Sequence, residues 1–415
     1  MDTARAQQYA CEMNGSTPKF LDRNSPPHLA TLILLSGVSA LSMNVFLPSL
    51  PNMAEYFDTD YRLMQLSVSV YLGFSALLQL AIGPLSDRYG RRNILLVSLV
   101  IFCIASFGTL VAPNAATFLV FRMLQAAVAT SMALSRAIVR DMVDEDKAAS
   151  MIAYVTLGMS IVPMIGPIIG GALDEVFGWK ASFALLAVLG VMVTWLTWAD
   201  LGETMDRKET SFREQMRDYP ELLTSPRFWG FVLCTAFASG VFFAYLGGAP
   251  FIGTVLYDLS ASELGMYFGT TGLGYGLGNY LSGRYSTRMG VIRMIVLGNL
   301  AMAGGIALQA LCVATGWGGA AGFFVPFLLV GVGNGLVLPN SNAGMLSVRP
   351  QLAGTAAGLG GAIMIGGGAA LSALSGAWLT EETGAWPLLV IMGASLLGSF
   401  LAILLVIRRN RQLGL

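Results

Sequence analysis

The stretch Gly83-Pro84-Leu85-Ser86-Asp87-Arg88-Tyr89-Gly90-Arg91-Arg92 decides how the rest of the chain is read. It separates two long apolar runs and sets an acid among three arginines, with a glycine at each shoulder. Glycine admits positive φ, and arginine at the end of an apolar run sits at the level of lipid headgroups. The pattern returns 200 residues later, where Gly283, Ser286, Arg288 and Gly290 repeat Gly83, Ser86, Arg88 and Gly90. Thr287 stands in the second copy where Asp87 stands in the first. A charged turn of this kind, used twice at half-length spacing, points to a duplicated membrane unit.

The composition agrees. Of 415 residues, 55% are apolar and 12% charged, with 24 Lys plus Arg against 24 Asp plus Glu. A soluble domain carries roughly twice that charged fraction. Mean hydropathy is +0.67. A membrane span needs about 20 mostly apolar residues, and that ruler places twelve: 29–50, 63–82, 94–112, 117–139, 151–173, 181–199, 228–248, 264–282, 292–313, 321–340, 353–378 and 386–407. The first run is too long for a signal-peptide core and reads as an uncleaved span. Only Arg62 and Lys180 fall on the side opposite the N-terminus, and only Arg122 lies deep inside a span; the remaining Lys and Arg, with Arg136 and Arg293 at the inner ends of their spans, share the N-terminal side. Positive charge collects in the cytoplasm, so both termini are expected there, in a cell inner (plasma) membrane.

The expected organisation is a tail (1–28), a six-helix bundle (29–199), a cytoplasmic linker with a short surface helix (200–226), a second six-helix bundle (227–407) and a short tail (408–415). The fold class is an all-α integral membrane protein, with twelve transmembrane helices in two pseudo-symmetric six-helix bundles. Such halves, related by an axis along the membrane normal, hold a substrate site between them near mid-membrane.

Zero net charge and the lack of a basic, aromatic-interleaved stripe exclude nucleic acid as a partner. Cys11, Cys103, Cys234 and Cys312 are scattered without CxxC spacing, and His28 is the single histidine, so no metal site, cofactor or disulfide framework is expected. An intramembrane enzyme needs clustered nucleophiles, bases or metal ligands in its spans. None is found, and the chain reads as a non-enzyme, a monomer in the lipid bilayer.

Four motifs carry a resemblance. The order Gly-x-x-x-Asp-Arg-x-Gly-Arg-Arg over Gly83, Asp87, Arg88, Gly90, Arg91 and Arg92 resembles the signature loop of the major facilitator superfamily. The resemblance implies that Asp87 helps latch the cytoplasmic side against the start of span 11 near Ala353, an arrangement a helix N-terminus would stabilise. In span 5, Gly158, Pro163, Gly166, Pro167, Gly170 and Gly171 resemble the antiporter motif of the superfamily's drug exporters. In span 4, Arg122 and Gln125 share a helix face and match the superfamily's Arg-x-x-Gln-Gly, with Ala126 in place of its glycine. The end of span 1, Asn44-Val45-Phe46-Leu47-Pro48-Ser49-Leu50-Pro51, resembles the Bcr/CflA-type drug/proton antiporters, which usually carry an aspartate at the position of Asn44. At 1.5 Å per residue, Asn44 and Arg122 lie roughly 10 and 8 Å from the outer ends of their spans, a similar depth.

No Asp or Glu falls inside any span as drawn; Asp141, Asp174 and Glu263 come nearest. An ionisable group at mid-membrane costs at least ~2.5 kcal/mol, which makes Arg122 a functional residue by default and predicts a net positive cavity. Further lining is expected from Tyr71, Gln79, Phe243, Tyr245, Tyr275, Asn279, Asn334 and Asn340, and close helix contact at Gly366-Gly367-Gly368. The resemblance and the charge census together imply an alternating-access exporter of small, largely apolar, neutral or anionic compounds, a multidrug efflux transporter exchanging its small-molecule substrate for protons. The alternative is a facilitator or importer of a specific anionic metabolite without proton coupling, with Arg122 as its anchor.

Overall fold

The computed structural model describes residues 20–142, 162, 165–204, 223–349 and 352–414. Among the described residues, ten helices are long and apolar enough to cross a membrane. Two expected spans are not among the ten. Span 5 is described at residues 162 and 165–177 alone, so Gly158 and Pro163 lie outside the described residues, as does the linker segment 205–222 where the surface helix is expected. Span 8 is a continuous helix, Ala261–Met289, whose glycines, threonines and serines dilute its hydropathy.

Span 1 begins at the helix Leu29–Asn44, where His28 Nδ1 accepts a hydrogen bond from the Ala30 amide at 3.2 Å. Proline lacks the N–H that a helix interior needs. Around Pro48 the helix therefore tightens into a 3-10 turn, Leu47–Ser49, and resumes over Leu50–Tyr56, carrying the span beyond its expected end at residue 50. Span 3 is Arg91–Val111. Span 4 runs through Ala115–Gln125, a 3-10 turn at Ala126–Val128, and Ala129–Met142. Span 6 is Lys180–Asp200, and span 7 is Pro226–Phe251. Spans 9 to 12 are Val291–Thr315, Gly319–Phe324 with Phe327–Ser347, Ala353–Trp378 and Trp386–Leu413.

The duplication is visible in the backbone itself. Span 2, Tyr61–Tyr89, and span 8, Ala261–Met289, are both 29 residues long and begin and end at equivalent positions. Each is capped by a side chain one residue ahead, Asp60 or Ser260, and each ends at a glycine of positive φ, Gly90 at 90° or Gly290 at 84°. The turns entering them repeat as well. Asp58 (φ 47°) and Asp258 (φ 52°) occupy the left-handed region, which aspartate tolerates because its short polar side chain bonds locally.

Large apolar side chains such as Val111, Leu77 and Ile104 are exposed on the periphery, the surface that lipid covers in a spanning bundle. Inside, spans 2 and 11 run antiparallel along the boundary of the halves, with Gln65 level with Gly376 and Gln79 level with Gly361. Association in lipid depends on close backbone approach rather than on burial from water. Asp200, the last residue of span 6, is fully buried and accepts hydrogen bonds from the amides of Leu21 and His28 at 2.8 and 2.9 Å and from Thr31 Oγ1 at 2.6 Å. It fastens the segment before span 1 to the end of span 6.

Candidate functional site

A cavity of about 230 Å3 lies between the halves. Its wall draws on spans 1, 2, 4 and 5 through Ser39, Met43, Asn44, Tyr71, Ser75, Gln79, Met132 and Pro167, and on spans 7, 8, 10 and 11 through Phe242, Phe243, Phe268, Tyr275, Asn334 and Met364. The two sets correspond under the repeat. Asn44, Tyr71, Gln79, Phe243, Tyr275 and Asn334 are brought together on this wall. Arg122, Gln125, Tyr245, Asn279 and Asn340 do not line it. Tyr245 turns away to stack on Phe327, with ring centres 3.6 Å apart. Asn279 and Asn340 bond to the carbonyls of Tyr275 and Leu336 on their own helices, and Asn340 also donates to Ser282 Oγ at 2.8 Å.

The expectation of a positive cavity is corrected by the position of Arg122. It is fully buried, with its guanidinium between the rings of Phe46 and Tyr71 at 4.3 and 4.2 Å. Nη2 donates to the Ser42 carbonyl at 2.7 Å, and Nη1 to Gln125 Oε1 at 2.8 Å; Gln125 Nε2 donates in turn to Ser106 Oγ at 2.9 Å. Arg122 therefore ties spans 1, 3 and 4 together behind Tyr71, whose other face meets the cavity. Cation–π contacts and helix carbonyls take the place of a carboxylate. The depth estimate holds, since Ser42 and Phe46 flank Asn44 on span 1. Asn44 nevertheless points elsewhere: its Nδ2 donates to Ala40 at 3.0 Å and its side chain meets the cavity. Every described lining residue is uncharged.

The glycine-flanked loop keeps its arginines within the first half. Arg91 forms an ion pair with Asp141 at the end of span 4, and its amide donates to Glu203 Oε1 at 2.9 Å. Arg92 donates to the carbonyls of Leu201 at 2.6 Å and Trp198 at 3.1 Å, the open C-terminal end of span 6, where a cation is favoured. Arg88 is exposed, lying over the Tyr89 ring. The side chains of Asp87 and Ala353 lie outside the described ones. In span 5, a Cβ at Gly170 would overlap the Val45 carbonyl, and one at Gly171 the Ala261 carbonyl; Pro167 approaches Gly265 in the same way. The described glycines of this motif thus bring span 5 onto span 1 and onto span 8 of the other half. Glycine is needed because backbone meets backbone.

These contacts shut one end of the cavity. At that end span 5 meets span 8, and Gln65 of span 2 meets Ser372 of span 11. Toward the arginine-rich end, Gly83 and Gly358, level with each other on spans 2 and 11, have no neighbour among the described residues where a Cβ would stand. Sequence reasoning missed Ser42, Asp200, Glu203 and Gln65. Ser42 acts through its carbonyl, which no side-chain pattern reports. Asp200 carried a signal, an acid at a helix C-terminus where the dipole disfavours it.

Two helical bundles about a central cavity, joined at one end by contacts between the halves, have the architecture of a membrane transporter of the alternating-access type. The chain belongs to the Major Facilitator Superfamily, whose model matches residues 32–373. It is 30% identical to a chloramphenicol resistance protein of Pseudomonas aeruginosa, over 87% of each chain. It is 26% identical to a bicyclomycin resistance protein homolog of Haemophilus influenzae, over 92% of this chain and 96% of the other. Among solved structures, a peptide transporter POT superposes with a TM-score of 0.76 at 15% identity, covering 99% of both chains.

Proposed function

We propose that this protein exports small, neutral, largely apolar compounds from the cytoplasm in exchange for protons, as a multidrug efflux transporter. The single observation that carries the substrate class is the uncharged wall of the cavity, built from aromatic rings, methionines and a few amides and hydroxyls. An anion would enter with no cation facing it, and a cation with no carboxylate. Arg122, shielded behind Tyr71, cannot serve as an anchor without rearrangement, which removes the main support for an anionic metabolite. Direction is supported by the span 5 glycines, which join spans 1, 5 and 8 beside the cavity, and by drug resistance in the relatives' names. The charge asymmetry of the loops supports cytoplasmic termini and a cavity that opens toward the cytoplasm in this state.

Proton exchange needs a titratable group, and Asn44 stands where the resemblance at the end of span 1 implies an aspartate. Asp174, buried at the closed end, is the nearest substitute: it is 5% exposed and accepts from Asn52 Nδ2 at 2.6 Å. The deciding experiment is transport in proteoliposomes under an imposed pH gradient, with neutral, anionic and cationic test compounds and a pH-sensitive dye inside. Movement of neutral compounds with counterflow of protons is expected. Transport indifferent to the gradient would leave an uncoupled facilitator, and preference for anions would overturn the reading of the cavity.

A further inference from the structure

We infer that Gln65 is the plug of the outer gate, the side chain whose insertion between spans 7 and 11 holds that end of the transporter shut and whose withdrawal accompanies release of substrate. The inference deepens the transporter reading above and rests on it. Gln65 belongs to span 2, in the first half, and is 1% exposed. Its Nε2 donates to the Ser372 carbonyl at 2.7 Å and lies 3.1 Å from Ser372 Oγ, both on span 11 of the second half. Ser69 Oγ, one turn along its own helix, stands at 3.4 Å.

The socket is made of absent side chains. A Cβ on Gly247 of span 7 would stand 2.7 Å from Gln65 Nε2, and one on Gly376 of span 11 would overlap the Gln65 amide oxygen. One turn before Gln65, the Tyr61 hydroxyl reaches the Gly247 carbonyl at 3.4 Å and its ring lies 5.3 Å from that of Phe251. A single amide thus enters a niche of two glycines from the opposite half and bonds to a helix carbonyl there. Farther along span 2, Gln79 covers Gly361 in a similar way, yet it lines the cavity and makes no hydrogen bond to span 11 among the described residues. The same element therefore carries a seated amide at the shut end and an unseated one toward the open end.

The chemistry suits a gate that must reopen. Neutral hydrogen bonds are exchanged for bonds to water when the halves part, so each shifts the equilibrium by only about threefold to tenfold. A buried ion pair in the same place would resist separation far more.

The test is a distance measurement by electron paramagnetic resonance in lipid nanodiscs, without substrate or gradient. Spin labels are placed at Arg62→Cys and Glu382→Cys, both exposed beside the gate, in a chain whose four native cysteines are replaced by alanine. The parent is expected to give mainly the short distance. Gln65→Ala should raise the ratio of long to short distance about tenfold. Gly376→Ala should raise it further by filling the socket, and adding Gln65→Ala to it should bring the ratio back to that of Gln65→Ala alone, because the clash is relieved and only the lost hydrogen bond remains. Should Gly376→Ala fail to fold, Gln65→Met, which keeps length without donors, is expected to fall between the parent and Gln65→Ala. An unchanged distribution for Gln65→Ala overturns the plug, as does a double variant that stays as open as Gly376→Ala. A chain that transports nothing yet opens on Gln65→Ala would sink the exporter reading and leave the plug standing.

Discussion

Arg122 keeps a charge at mid-membrane without a carboxylate partner, between two rings and two helix-bound acceptors. Because Tyr71 separates it from the cavity, Arg122→Ala is expected to lower turnover at least a hundredfold while the affinity for substrate stays within about threefold. Comparing binding by calorimetry with transport rate checks this, and a matched loss of both would place the arginine in contact with substrate. Asp174 is the residue whose titration the structure biases most clearly at the closed end. Burial raises its carboxyl above the ordinary value of 3.8, and the hydrogen bond from Asn52 only partly opposes the shift. The sign follows from linkage: the fold favours the protonated acid, so its contribution is complete below the ordinary value and is lost as pH rises through the raised one. Asp174→Asn should remove that slope, leaving the variant relatively more stable than the parent on the alkaline side. Thermal unfolding across pH 3 to 8 (about the range in which a carboxyl so shifted titrates) would show parallel curves if the group were indifferent.

At the scale of the element, two helices of equal length end in the same glycine conformation but in different surroundings. Gly290 has open space where a Cβ would go, whereas a Cβ at Gly90 would strike the Glu203 carboxylate that holds the Arg91 amide. Gly290→Ala is therefore expected to cost about 1 kcal/mol, the cost of positive φ alone. Gly90→Ala should cost about 2 kcal/mol or more, since it also displaces a charge-assisted hydrogen bond. Unfolding monitored in detergent distinguishes them, and equal losses would mean that Glu203 contributes nothing. The sequence shows the two glycines as equivalent members of a repeat. Their inequality comes from Glu203, which only the folded chain brings back over the loop.

For the whole molecule, the shut end carries the approaches of Gly171 to Ala261 and of Pro167 to Gly265 together with the amide plug, whereas Gly83 and Gly358 toward the arginine-rich end have no close neighbour among the described residues. The proposed latch between Asp87 and the start of span 11 would form in the opposite state. The antiparallel register of spans 2 and 11, continued from the Gln65–Gly376 and Gln79–Gly361 levels, brings those two segments abreast. Asp87→Asn is accordingly expected to slow turnover several-fold with little change in substrate affinity, as a loss of one charge–dipole interaction would. Turnover equal to the parent's would remove the latch.

The sequence by itself determined the class of fold. Span length, the asymmetry of Lys and Arg, and a loop repeated at half-length are local or additive properties, and they survive without knowledge of any contact. Six of the polar and aromatic span residues that the sequence singles out line the cavity, while Tyr245, Asn279 and Asn340 of the same spans do not. What it could not reach was direction. Arg122 and Tyr71 each lie in an apolar run, yet which of them meets the cavity depends on helix rotation, and that orientation converts an expected positive site into an uncharged one. Gln65 looked like one more polar residue in span 2; its role appears only when glycines some 180 and 310 residues away leave a space of its size. Sequence fixes periodicity along each helix, but contacts across the two halves arise from packing, and packing is where this transporter's gate and cavity are made.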